Sequence, residues 1–472
     1  MLGSQIRRLR RAGPGLRLSS LLVVLASGGY LLVLSGVTAG ITDAATACPA
    51  WPGCGVAVET QHTPALVVAV AHRLTVGILG GLLAVAGWLA WNRDHSTRVR
   101  LALLLVGAMY ALQIGVGATI AVTTPASFLS TLHLIVGIAV FWGLLVALVW
   151  TLEDEHGPAL VGAFDRTAER SQEPDPEHLN SDRSPVLDRA IAYLRLTKPR
   201  LMWLLCLVAL AGLALAGGPA LDPVTVAGTL FGGVLAIGAS GTFNNVLERD
   251  RDEQMQRTAD RPLATETIPV GRATAFGTVL TVASVAVFLT FVNALAAALG
   301  LLAILFYSVV YTIVLKPHTS ANVVIGGVVG GIPALIGWAA VTGTVGVPAI
   351  VLGMVIFLWT PAHFYNLALA YRADYERAGF PMLPVVAGEQ KTARHIVLYF
   401  GATMLAAAGL AAVTDLGTLY AAGVLLFAAV FFHAVGRLYR HHSRSAALRT
   451  FHASNAFLAV LLGSILLETL VV

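Results

Sequence analysis

Asn244, Glu248 and Asp252 stand four residues apart where an apolar run ends, in the stretch Gly241-Thr-Phe-Asn244-Asn245-Val-Leu-Glu248-Arg249-Asp250-Arg251-Asp252. Four residues of α-helix turn through about 400°, so the three side chains stack on one face and can share a ligand. Carboxylates spaced this way suit Mg²⁺, which takes oxygen ligands and is commonly held by one or two protein carboxylates together with substrate phosphates. Arg257 and Arg261, also four apart, are placed to grip phosphate oxygens through charge-assisted hydrogen bonds. The chemistry implied is departure of a diphosphate, with a metal neutralising the charge that develops on it. The plain alternative is a charged surface loop whose residues pair with one another.

A second polar cluster weighs against that alternative. It reads Trp359-Thr-Pro-Ala-His363-Phe-Tyr-Asn366, then Tyr371-Arg-Ala-Asp374-Tyr375, then Phe380-Pro-Met-Leu-Pro384. His363 and Asn366 fall inside an apolar span, where a polar group needs a partner or a ligand. His363 is read either as a buried structural histidine or as a group at the reacting centre. Lys198 and Lys316 each border an apolar run, as diphosphate ligands or as simple anchors at the membrane surface.

The elements that must position these residues are membrane spans. The chain has 472 residues, of which 57% are hydrophobic and only 12% charged, too apolar for a soluble protein of this length. A hydrocarbon core about 30 Å thick requires roughly 20 apolar residues per helix. Thirteen such stretches occur, near 20–42, 65–91, 101–123, 127–152, 200–217, 223–247, 272–291, 294–315, 321–341, 347–370, 395–413, 417–436 and 450–471. The fold expected is all-α, a four-helix bundle followed by a nine-helix bundle.

Charge tests that count independently, because Lys and Arg gather in cytoplasmic loops. With the N-terminus inside, carrying Arg7, Arg8, Arg10, Arg11 and Arg17, every second loop is basic, and of the 30 Lys and Arg residues only Arg73 falls elsewhere. The net charge of +5 therefore reflects topology, and no nucleic-acid footprint is read from it. The first apolar run is too long for a cleaved signal and is read as a retained span. Residues 153–195, rich in charge and proline through 171–178, read as a cytoplasmic linker between domains at 1–152 and 196–472, with short amphipathic structure near 186–196.

In the first domain Cys48 and Cys54 frame Cys48-Pro-Ala-Trp51-Pro52-Gly-Cys54 in an outside loop, where a disulfide is permitted; metal binding or two free thiols are the alternatives. His72 and His133 sit near the outer ends of the second and fourth spans, as candidate haem-iron ligands or isolated histidines, and Arg73 is placed to meet a haem propionate.

The segment from about Leu196 to the C-terminus resembles the protoheme IX farnesyltransferases (haem O synthases), UbiA-type intramembrane prenyltransferases. The resemblance rests on Leu196-Thr-Lys198-Pro199-Arg200, the 244–262 block, Leu315-Lys316, Asn322-Val-Val-Ile-Gly-Gly327, Pro333-Ala-Leu-Ile-Gly-Trp338 and the 359–384 block, in that order. It implies nine spans and a farnesyl group passed from farnesyl diphosphate to a vinyl group of haem B, giving haem O. It also implies Mg²⁺ on Asn244, Glu248 and Asp252, with Asp374 in a second acidic site and His363 at the haem or diphosphate. The family's second motif has two acids four apart, and Tyr371 occupies the place of one, so a symmetric second metal site is not expected. Tyr375 and His363 are the candidates for handling proton and water. A quinone or lipid acceptor, or a non-catalytic haem-handling role in oxidase assembly, are the alternative functions.

Residues 20–152 resemble one half of the eight-helix haem A synthases, which implies haem ligation by His72 and His133 and leaves haem A formation open. That family commonly carries a Glu three residues before the second-helix His; here the place is Ala69, and Glu59, three before His62, is the alternative, in the outside loop. Expected partners are membrane lipid, the two substrates, and haem A synthase or oxidase assembly factors. The expected location is the cell membrane, with the acidic motif cytoplasmic and the Cys48–Cys54 loop outside.

Overall fold

The computed structural model describes residues 17–41, 44–48, 50–54, 64–93, 95–123, 127–156 and 185–471. Arg7, Arg8, Arg10, Arg11, Glu59, His62 and the 171–178 run lie outside the described residues. Among the described residues every regular element is helical, and thirteen helices are long and apolar enough to cross a membrane. The protein is thus an all-α multi-pass membrane protein. We label these helices α1 (Leu18–Ile41), α2 (Pro64–Asn92), α3 (Thr97–Val122), α4 (Ser127–His156), α5 (Pro199–Gly217), α6 (Pro223–Asp252) and α7 (Val270–Phe291). They continue with α8 (Ala294–Leu305, whose span runs on to His318), α9 (Asn322–Thr342), α10 (Val347–Ala370), α11 (Glu389–Ala412), α12 (Thr418–His441) and α13 (Arg444–Leu470).

The chain divides into two compact units, Met1–Glu155 and His156–Val472. In the first unit α2 packs on α1 and α3. The α4 ring of Phe141 lies 5.9 Å from that of Tyr30 on α1. At one end Arg98 reaches Asp154 at 2.7 Å and Glu153 at 3.1 Å. That pairing carries α4 through His156, beyond the Glu153 at which the sequence reading began its linker. The outward faces stay apolar, with Leu74, Ile78 and Trp88 each more than 60% exposed, which suits lipid rather than water.

In the second unit α5, α6, α8, α9 and α10 surround a cavity, and α11, α12 and α13 extend the bundle beyond α10. Close backbone approach makes this possible. A Cβ at Gly331 of α9 would stand 2.7 Å from the Gly353 carbonyl oxygen of α10, and one at Gly337 would overlap the Ala209 carbonyl oxygen of α5. Small residues at such crossings let apolar helices gain van der Waals contact where no hydrophobic force acts between them. Asp222, Asn293 and Ser443 cap α6, α8 and α13 by accepting a backbone N–H three residues on, so the short loops end cleanly.

Two local features depart from plain helical spans. The helix at Pro185–Leu196 falls inside the segment assigned to the linker, yet its Ala192 and Leu196 pack against Leu263, Ile268 and Ala273. The structured second unit therefore begins upstream of 196, while Val186, Leu187 and Leu194 stay exposed on the outer face of this amphipathic helix. After α8, the ten residues Phe306–Leu315 adopt π-helical geometry before a short helix at Lys316–His318.

Candidate active site

The last three turns of α6 bury Asn244, Glu248 and Asp252 to 2%, 4% and 3% exposure, so the polar stripe predicted from their spacing turns into the bundle. Each meets a cation from a different segment. Lys198 Nζ donates to Asn244 Oδ1. Lys316 Nζ lies 2.6 Å from Glu248 Oε1, and Arg261 reaches Asp252 Oδ2 at 2.7 Å. Buried charges require such partners, since an uncompensated one costs several kcal/mol, of order 3–5.

Lys198 gets there by an unfavourable backbone. Its φ of 54° and ψ of 57° place it in the left-handed region, immediately before Pro199 at the start of α5. For a residue with a side chain this costs about 1–2 kcal/mol. Burial draws its ammonium down to about 7, with the Arg261 guanidinium acting in the same direction.

The π-helical segment supplies the opposite wall. Thr312 donates to the Tyr307 carbonyl five residues back at 2.8 Å and accepts from Asn244 Nδ2 at 3.0 Å. Tyr307 and Tyr311 stack with centroids 5.4 Å apart, and Lys198 Nζ sits 5.8 Å from the Tyr307 ring. Functional sites are where π-helical turns are found most often. Sequence reasoning missed Tyr307, Tyr311 and Thr312; the available signal was two tyrosines four apart within an otherwise apolar span.

Beside this cluster opens a cavity of ≈ 250 Å³. Its wall is almost wholly apolar, from Leu201, Leu205, Ile237, Val329 and Phe364 among others, and its polar end is formed by Lys198, Tyr307 and Tyr311. Lys198 therefore belongs to both places: it lines the cavity and bonds Asn244. An apolar chain in the cavity would carry its head group to the cations.

The remaining predicted residues divide. Asp374, 5% exposed, pairs with Arg377 and accepts the Arg257 backbone N–H at 3.2 Å. The Arg257 side chain turns to Tyr375, with Nη2 3.4 Å from its hydroxyl, rather than joining Arg261 on Asp252. Among the described residues no group of three or more His, Cys, Asp or Glu is gathered closely enough to hold a metal.

His363 does not line the cavity, although its neighbours Thr360 and Phe364 do. Its ring lies between Trp359 and Phe451, each at 4.2 Å between centroids, and its Nδ1 is 2.8 Å from Ser454 Oγ. These contacts join α10 to α13.

In the first unit the Cys48 and Cys54 sulfurs are bonded. Arg73, expected to meet a propionate, instead spends its guanidinium on this loop. It donates to the carbonyls of Ala50, Gly53 and Cys48 at 2.6, 2.8 and 2.7 Å. His72 Nδ1 is 2.8 Å from Ser35 Oγ, while His133 Nδ1 is enclosed without a hydrogen-bond partner among the described residues.

Residues 205–461 match the model of the UbiA prenyltransferase family. A protoheme IX farnesyltransferase 1 from Natronomonas pharaonis is 52% identical over 462 residues, 96% of this chain and 99% of that one. A protoheme IX farnesyltransferase from Halobacterium salinarum (strain ATCC 29341 / DSM 671 / R1) is 50% identical, covering 96% and 98% of the two chains. One from Mycobacterium sp. (strain KMS) is 42% identical over 289 residues, 61% of this chain and 93% of its own. Among solved structures, a UbiA homolog from Archaeoglobus fulgidus bound to GPP and Mg²⁺ is 16% identical over 58% of this chain and 99% of that one, with a TM-score of 0.45. The chain belongs to the UbiA prenyltransferase family, among the protoheme IX farnesyltransferases.

Proposed function

We propose that this chain transfers the farnesyl group of farnesyl diphosphate to a vinyl group of haem B, forming haem O and diphosphate. The observation that carries the reading is Lys198, which lines the apolar cavity and at the same time bonds the first residue of the Asn244, Glu248, Asp252 stripe. A prenyl tail in that cavity delivers its diphosphate to Lys198, Lys316 and Arg261. The two carboxylates and the Asn244 amide present only oxygen donors, the class that Mg²⁺ takes. When bound there, Mg²⁺ would neutralise charge on the departing diphosphate.

The allylic C1–O bond breaks with its electron pair leaving on the diphosphate, where Lys198, Lys316 and Arg261 stabilise it. The vinyl π electrons form the new bond to C1. Water adds to the resulting cation and loses a proton, leaving a hydroxyethylfarnesyl group. The apolar wall keeps water from C1 until the vinyl group attacks.

The site is assigned to the cytoplasmic face of the cell membrane, because the Lys and Arg residues flanking α5, α6, α9 and α10 gather there. The first unit is proposed to hold haem through His72 and His133, serving as a haem-handling domain joined to the transferase. Its separation from the transferase is supported by the mycobacterial relative, which matches 93% of its own length with 61% of this chain.

Purified full-length protein in detergent, given haem B, farnesyl diphosphate and Mg²⁺, is expected to yield haem O, and Asp252→Ala to abolish it. Prenylation of a quinone in place of haem, or haem binding without turnover, would overturn the assignment.

A further inference from the structure

Where a second acid of this family would stand, the structure has Tyr371, and its ring is flanked by two guanidinium groups. Arg444, the first residue of α13, lies 4.6 Å from the ring centroid, and Arg257 lies 5.3 Å from it. Among the described residues neither guanidinium has a carboxylate partner, and the side chain of Arg257 bonds only the Tyr375 hydroxyl, at 3.4 Å. The neighbouring Asp374 is occupied by Arg377 and by the Arg257 backbone N–H. Arg444 Nε is enclosed by protein with no acceptor among the described residues. Two guanidinium groups without a carboxylate partner and a buried donor without an acceptor form a seat for an anion, because positive charge held this way favours an anionic ligand beside it.

Resting on the haem reading above, we propose that Tyr371, Arg257 and Arg444 seat a carboxylate edge of the acceptor porphyrin. The diphosphate already has its own cations, each tied to the Asn244, Glu248, Asp252 stripe. Arg444 belongs to α13, which contributes nothing to the cavity wall. A porphyrin acceptor is a flat apolar ring with its two carboxylates along one edge and its vinyl groups on the other rings. Held by those carboxylates at the polar end of α10 and α13, it directs the opposite edge into the bundle. The planar fork of arginine matches a carboxylate in two-point contact, and the Tyr371 ring holds the two guanidinium groups beside it by cation–π attraction.

The test uses the full chain, haem B and its dimethyl ester as acceptors, and initial rates at varied farnesyl diphosphate. Wild type is expected to use the ester with a KM at least about 10-fold above that for haem B, a charge-assisted contact being worth that factor or more. Arg444→Gln should raise the KM for haem B by about the same factor while leaving the KM for farnesyl diphosphate within about 2-fold and the ester kinetics unchanged. Arg444→Lys, which keeps the charge but loses the fork, should fall between. Equal use of acid and ester by wild type would overturn the proposal, as would equal losses on both acceptors in Arg444→Gln or a parallel rise in the KM for farnesyl diphosphate. Wild type that farnesylates no haem at all would remove the underlying reading as well, an outcome distinct from these.

Discussion

Lys316 Nζ stands 2.6 Å from Glu248 Oε1 and 4.4 Å from the centroid of the Phe380 ring, so a membrane-embedded carboxylate and its cation are closed in by an aromatic side chain. Their side chains are 13% and 5% exposed, which makes each dependent on the other. Lys316→Met should destabilise the protein by about 3–5 kcal/mol, because it strands the charge on Glu248. Lys316→Met combined with Glu248→Gln should recover most of the melting temperature in detergent and none of the transferase activity. A double variant no more stable than the single one would show that the pair is not coupled.

Lys198 sits in a left-handed conformation that glycine adopts freely. Lys198→Gly is expected to relieve about 1 kcal/mol of backbone strain, offsetting part of the lost packing, while lowering kcat by about 10²–10³ through loss of a leaving-group donor. Lys198→Ala removes the same ammonium without relieving the strain. Thermal melts of the two variants should therefore differ, with glycine the more stable; identical melts would contradict the strain.

Chelation should stop farnesyl transfer, and added Mg²⁺ should restore it. Asp252→Asn keeps a neutral oxygen donor beside Arg261 but removes the charge, so its activity should require about 10-fold more Mg²⁺ for half-maximal rate. Titration of the rate against free Mg²⁺ measures this, and a midpoint unchanged from wild type would remove Asp252 from the ligand set.

Gly331 crosses α10 with its backbone almost touching Gly353. Gly331→Val has no flexible neighbour to displace, only a carbonyl oxygen, and should cost at least about 3 kcal/mol. The expected result is loss of the monodisperse peak in size-exclusion chromatography. Gly233, at which an added Cβ would meet nothing within 4 Å, serves as the tolerant control with Gly233→Ala.

For the first unit, His72→Ala and His133→Ala should each reduce bound haem and change its visible spectrum, while haem O formation stays within about 2-fold of wild type, as expected for sites that belong to separate compact units. Unchanged spectra in both variants would remove the ligation proposal.

Much of this arrangement can be read from residues alone. Spans follow from the length of apolar runs, and the Asn244, Glu248, Asp252 stripe follows from helical spacing. The helices nonetheless run past the apolar stretches at their charged ends. In α6 the polar turns through Asp252 continue the helix because their carboxylates find cations inside the bundle, which hydropathy does not register. The left-handed Lys198 and the π-helical 306–315 segment were not legible, because tertiary contacts select both conformations against local preference. Arg73 misled for a related reason. An isolated charge near an outer membrane face signals a needed partner, but the partners are backbone carbonyls of the Cys48–Cys54 loop, which carry no mark in the sequence.

The π-helical segment sets how far the chain can tolerate length changes in that span. With each bond reaching back five residues, the run accommodates one residue more than an α-helical turn would, and Lys316 follows immediately after it. Deleting a single residue between 306 and 315 would remove that surplus and let the turn relax to ordinary α geometry with Lys316 kept in register. One residue inserted into the α-helical stretch Ala294–Leu305 has no such outlet and would swing everything downstream by about 100° around the axis. The ammonium of Lys316 would then turn away from Glu248, which would lose its counter-charge without a single polar residue having been substituted.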